Sequence, residues 1–134
     1  MELTLAQVNE MGLSGFPGLL GLDVYEAGDG FVCARLELHE KHQAPNGFLH
    51  AGVVIGLADT AAGYGCILTL PEDAKGFTTI ELKTNFLRSA WEGTIECEAR
   101  RLHHGRTTQV WDADVTDPEG RTMALLRATQ LILR

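Results

Sequence analysis

Apolar residues in the opening stretch LTLAQVNEM recur at Leu3, Leu5, Val8 and Met11, the spacing of one helix face, and GLSGFPG brings that helix to an end. The period then drops to two. LLGLDVYEAGDG and FVCARLELHE read as strands joined by a Gly28-Asp29-Gly30 turn; Val32, Ala34, Leu36 and Leu38 take one face of the second, Arg35 and Glu37 the other. KHQAPNGF is a loop by its Pro-Asn-Gly content. A long apolar helix is predicted from about His50 to Leu70, stopped by Pro71. Beyond it, two-residue alternation returns. GFTTIELKTNFL sets Thr78, Ile80, Leu82, Thr84 and Phe86 on one face. GTIECEARRLHH turns at His104-Gly105 into RTTQVWDADVT, and DPEG, residues 117–120, turns into RTMALLRATQLILR. Strands on either side of one helix, without βαβ alternation, predict an α+β domain: an antiparallel sheet of about five to six strands wrapped around the long central helix. No internal repeat is visible.

Length and composition narrow the function. The 134 residues suit one domain, 1–134, with a single core. A net charge of −7 excludes a general nucleic-acid binder and adhesion to an anionic membrane. Cys33, Cys66 and Cys97 are odd in number and lack a C-x-x-C pattern, which reads as reduced core thiols of a cytoplasmic protein. The start, MELTLAQVNEMG, is acidic and lacks the apolar core of a signal peptide. Ala51 to Leu70 has the length of a membrane span, but its four glycines and central Asp59 would be costly in lipid, and the alternating strands need an apolar partner.

Asp59 is the one charge in NGFLHAGVVIGLADTAAGYGC. On a helix it shares a face with Gly52, Gly56 and Gly63. Interior glycines cost roughly 0.5–1 kcal/mol each relative to alanine, so something must approach this face closely. Close packing with Asp59 bonded to a neighbouring group is one reading; a ligand groove in which Asp59 acts on a substrate is the other. The first turn leaves amide N–H groups unpaired, and the small residues Ala51 and Gly52 keep those amides reachable for a carbonyl oxygen gaining negative charge. Asp59 lies roughly 12 Å further along the axis. An acid on one subunit facing the helix start of another would close that gap.

HQAPNGFLHAGVVIGLADTAAGYG, TTIELKTNFLRSA and HHGR together resemble the PaaI-like acyl-CoA thioesterases of the hotdog fold, the phenylacetate-degradation and 4-hydroxybenzoyl-CoA type. The likeness follows nearly the whole chain in element order and includes an H-(A/G)-G-x6-D core. It implies a long helix wrapped in an antiparallel sheet, and a homodimer or dimer of dimers. The active site would lie at the dimer interface, and coenzyme A would enter as part of the substrate rather than as a cofactor. It also implies that Asp59 is the nucleophile or general base for thioester hydrolysis, that the amide of Ala51 polarises the thioester carbonyl beside His50, and that Thr79 positions water or the acid. The departure is Ala44, where many relatives carry Asn or Gln fifteen residues before the acid; Gln43 or Asn46 are the nearby substitutes.

Other residues keep two readings. His42 and His50 flank the loop as structural hydrogen-bonders or as participants, and with Asp59 they have no recognised metal-ligand spacing. Lys83, Arg88, Arg100, Arg101 and Arg106 fall in one stretch, with His103 and His104 among them. A solvated sheet edge is one account. A clamp for the phosphates of coenzyme A is the other, which the resemblance favours for Arg88, Arg101 and the His104-Gly105-Arg106 turn. The leading function is hydrolysis of an acyl-CoA thioester; a hotdog enoyl-CoA hydratase or dehydratase and a non-catalytic acyl-CoA binder are the alternatives.

Overall fold

Helix α1, Leu5–Met11, starts where the sequence supplies its cap. The Thr4 hydroxyl accepts from the Gln7 N–H (3.2 Å), and Gln7 Oε1 accepts from the Thr4 N–H (2.9 Å). The computed structural model describes residues 3–134, so the first two residues of the acidic start lie outside the described residues. The expected break after α1 contains a second helix, α2, Phe16–Leu20. Pro17 sits in its first turn, where a missing N–H costs nothing, and Gly21 closes it at φ 83°.

Strands β1, Asp23–Gly28, and β2, Phe31–Leu38, form the expected hairpin, followed by a single 3-10 turn at Glu40–His42. Helix α3, Ala51–Leu68, is the central element; β3, Gly76–Phe86, β4, Gly93–His104, β5, Thr108–Thr116, and β6, Thr122–Leu133, complete the chain. All six strands pair antiparallel in the order β1-β2-β4-β5-β6-β3, so β1 and β3 are the edges. This is the hotdog arrangement: one sheet curled around one helix.

The core lies between α3 and the inner sheet face. Leu57, Ala58 and Ala61 are buried against inward residues such as Leu36, Ile95 and Trp111. Trp111 packs against the helix at Gly65, where an added Cβ would run into the indole ring. Although α3 is long and apolar enough to cross a membrane by composition, most of it is buried in this core. The outer sheet face carries paired charges, among them Arg127 with Asp112 (2.6 Å) and Arg100 with Asp114 (3.0 Å). Cys33 lies half-buried on that outer face, so only Cys66 and Cys97 are core thiols. Burial pushes the Cys66 thiol up to about 11.

The alternation expected along β3 is interrupted. A bulge between Thr79 and Glu81 shifts the register against β6. Phe77 and Thr79 therefore turn inward before it and Leu82 and Thr84 after it, whereas Thr78, Ile80 and Phe86 are exposed.

Candidate active site

The loop before α3 is pinned from several sides. Gln43 bridges Leu49, the Leu49 N–H donates to Ser89 Oγ (2.9 Å), and Gln43 Nε2 donates to the Trp91 carbonyl (3.1 Å). Gln43 Oε1 is buried with no hydrogen-bond partner among the described residues. Asn46, by contrast, is exposed and its Oδ1 accepts from the Phe48 N–H (3.1 Å), a local turn contact. Of the two substitutes weighed for Ala44, only Gln43 keeps a sheltered free acceptor.

His50 is the N-cap of α3. Its Nδ1 accepts from the Gly52 N–H (2.8 Å), which places the ring proton on Nε2 in the neutral tautomer. This corrects the expectation for Gly52: the ring folds back onto its amide, so it is not free to meet a carbonyl oxygen. Ala51 is exposed, and its N–H has no partner among the described residues. His42 is a fold residue, its Nε2–H donating to the Leu20 carbonyl (3.1 Å) and its Nδ1 accepting from the His39 N–H (3.2 Å). Burial and the neighbouring His39 hold its pKa below the usual histidine value.

Asp59 sits two turns along α3, half-buried. The Thr79 hydroxyl donates to its Oδ1 (3.4 Å), and no cation pairs with it among the described residues. Burial raises its pKa above the ordinary carboxylate value, and the Thr79 bond opposes that more weakly. The β3 bulge puts Thr79 within reach. The close approach that the glycines implied is made by this chain itself. A Cβ on Gly56 would lie 2.7 Å from Leu20 Cδ1 and 2.8 Å from Phe16 Cε2, and one on Gly63 3.1 Å from Phe77 Cζ.

Asp59 opens onto a hollow of about 190 Å³ lined by Pro17, Thr60, Tyr64, Ile67, Phe77 and Thr79. The helix start opens onto a different one, about 390 Å³, walled by Phe16, Leu19, Leu20, Gln43 and Val53 beside His50 and Gly52. Within one chain, neither hollow contains both the acid and the Ala51 amide. The sequence reading missed Tyr64, Phe77 and Pro17 at the acid. Tyr64, five beyond Asp59, lies about 140° around the helix, so spacing gives no signal for it.

The basic residues do not form one cluster. Arg101 turns inward, only 14% exposed, and pairs with Asp29 (3.0 Å), so it is no part of an open phosphate clamp. Position 101 continues the inward series of Ile95, Cys97 and Ala99. Arg88 lies at the helix-start end, its N–H bonded to the Met123 carbonyl (3.2 Å). The His104-Gly105-Arg106 turn lies at the opposite end, where the Arg106 carbonyl accepts from Arg134 (2.6 Å).

The chain falls in a defined class: the family model of the thioesterase superfamily matches residues 46–124, and the chain belongs to that family of thioester hydrolases. Among its relatives are the 1,4-dihydroxy-2-naphthoyl-CoA hydrolases of Escherichia coli (31% identical, 98% of this chain and 96% of the relative) and Listeria monocytogenes (31%, 86% and 93%). The crystal structure of thioesterase HI1161 from Haemophilus influenzae superposes with a TM-score of 0.92 at 25% identity, over 100% of this chain and 93% of that one. A point mutant of thioesterase PA1618 from Pseudomonas aeruginosa superposes with a TM-score of 0.93 at 26% identity, over 99% and 96%. The PaaI protein of Escherichia coli shares the fold, with a TM-score of 0.80 at 24% identity over 88% and 83%.

Proposed function

We propose that this chain hydrolyses an acyl-CoA thioester at a site shared by two protomers, Asp59 from one and the α3 start from the other. The observation that carries the reading is a half-buried carboxylate without a cation, oriented by Thr79 and open to an apolar hollow. A fold does not keep such a group for stability alone, since burial disfavours its charged form. The Ala51 N–H, at the positive end of the helix, holds the thioester oxygen as it gains charge. His50 fixes the geometry of that turn by capping Gly52. Gln43 Oε1 takes a hydrogen bond that positions substrate or water, in place of the amide absent at Ala44.

Asp59 acts as the base that deprotonates water or as the nucleophile itself. As base, Asp59 takes a proton from water, the hydroxide adds to the carbonyl carbon, the C–S bond breaks, and that proton passes to the leaving coenzyme A thiolate. As nucleophile, its oxygen forms a mixed anhydride as the C–S bond breaks. Water then hydrolyses the anhydride, freeing the acid and the Asp59 carboxylate and supplying the proton that the thiolate takes up. The separation of roughly 12 Å along α3 supports a paired site. So does the free β3 edge, with Ile80 57% and Phe86 46% exposed, because an unpaired edge invites a second sheet. The 134 residues work as one cytoplasmic hotdog domain within a dimer or dimer of dimers. Arg88 and the His104-Gly105-Arg106 turn, exposed at opposite ends of each chain, meet the coenzyme A phosphates from different protomers. Thiol release from a panel of acyl-CoAs tests the activity. Water addition to an enoyl-CoA, or tight binding with no turnover, would overturn it. Sedimentation at micromolar concentration tests the assembly, which a monomer refutes.

A further inference from the structure

Helix α2 borders both hollows. Pro17 lines the one beside Asp59, while Phe16, Leu19 and Leu20 line the one at the helix start. Its placement is over-determined. Phe16 and Leu20 rest on Gly56, the His42 ring donates to the Leu20 carbonyl (3.1 Å), and the Gly18 N–H bonds the Gly12 carbonyl (3.0 Å). Gly12 in turn leaves room for the Tyr64 hydroxyl and the Pro17 ring, either of which an added Cβ would strike. Yet α2 adds little to the core. Leu13 before it is 70% exposed, and Phe16 and Leu19 are 54% and 77% exposed. A helix held this firmly while showing apolar side chains outward is a wall.

We propose that α2 sets the size of the acyl group, with Pro17 closing the hollow beside Asp59 and Gly56 fixing how near α2 stands. This rests on the reading of Asp59 as the reacting carboxylate. The attacked carbonyl carbon must lie about 3–3.5 Å from the attacking atom, so the first atoms of the acyl group lie beside Asp59. The space there, about 190 Å³, ends on Pro17, Tyr64 and Phe77. The substrates it admits are compact, a short aliphatic or an aromatic acyl group, and an extended fatty-acyl chain meets α2.

The test compares wild type, Pro17→Ala and Gly56→Ala on acetyl-, benzoyl-, 1-naphthoyl- and decanoyl-CoA. Wild type is expected to favour the compact thioesters in kcat/KM. Both variants alter the wall, the first by removing ring carbons and the second by displacing the Phe16 and Leu20 side chains that rest on α3. The decanoyl-to-benzoyl ratio of kcat/KM is expected to rise about tenfold or more, the scale of discrimination by a fitted apolar pocket. Wild type that hydrolyses decanoyl-CoA as well as benzoyl-CoA overturns the proposal, as does a folded Pro17→Ala with the wild-type profile. Pro17→Ala decides the matter if Gly56→Ala fails to fold, since alanine suits a helical backbone. If wild type releases no thiol from any thioester, the catalytic reading fails by itself. Calorimetric dissociation constants for the same series then judge the wall: selectivity for compact groups, relaxed in Pro17→Ala, upholds it, and a flat profile overturns it.

Discussion

Replacing Asp59 with asparagine preserves size and removes one charge. The Thr79 bond, 3.4 Å long, survives the change because an amide oxygen accepts as a carboxylate does. At that length it contributes at most about 1 kcal/mol, so its fate cannot dominate the outcome. The charge does. Burial holds the Asp59 pKa in the folded protein above its unfolded value of about 4. The folded state therefore binds the proton more tightly. The stabilising contribution is full below the unfolded pKa and is lost as pH rises through the folded one. At pH 7 wild type carries an unfavourable buried carboxylate, and Asp59→Asn does not.

The variant is thus expected to melt at or above the wild-type temperature at pH 7, with its advantage shrinking as pH falls through the Asp59 pKa. Turnover goes the other way: kcat is expected to fall by at least about a hundredfold, the usual scale for losing a general base. Melting curves at several pH values and thiol release from the best acyl-CoA measure both quantities on one preparation. A stable variant with wild-type turnover refutes the catalytic assignment. A loss of more than about 2 kcal/mol at pH 7 with turnover per folded molecule near wild type would show that the charge serves the fold instead.

Thr79→Val removes the one hydrogen bond to the Asp59 carboxylate among the described residues, so the acidic limb of the kcat–pH profile should move to higher pH; an unmoved limb would separate Thr79 from the acid. Arg101→Ala should lower the melting temperature by stripping a packed stem while leaving KM for acyl-CoA within about twofold, and Arg106→Ala should raise KM more than it lowers kcat. Equal KM effects would return Arg101 to the substrate site. Gly65→Ala should destabilise by about 1–3 kcal/mol in thermal melting, because its methyl group meets Trp111 and outweighs the usual helix gain.

The sheet and α3 were legible because each carries one clean period. Val32, Ala34, Leu36 and Leu38 are all buried, and Pro71 follows α3 closely. What failed was local and depended on neighbours distant in sequence. The β3 bulge leaves no mark in TTIEL, since Thr, Ile and Glu are each acceptable in either register; only pairing with β6 selects it. A glycine at every third position from Gly12 to Gly21 reads as a break. The same glycines let a five-residue helix fold tightly, so α2 stayed hidden inside its own punctuation.

The site divides along the same line. Asp59, His50 and Ala51 stood out as candidates because they are exceptions to a strong pattern: a charge and a helix start inside an apolar run. Gly52 was half right, because its small size does open the first turn but its amide is then claimed by the His50 ring. Arg101 was misplaced because a charge count along the chain carries no facing. Counting back by twos to Ala99 and Cys97 would have turned it inward. On the proposed reading, Asp59 and the Ala51 amide, two helical turns apart on α3, are the two halves of a site that one chain does not close. That separation, more than any single residue, is why the paired assembly and the proposed role of Asp59 stand or fall together.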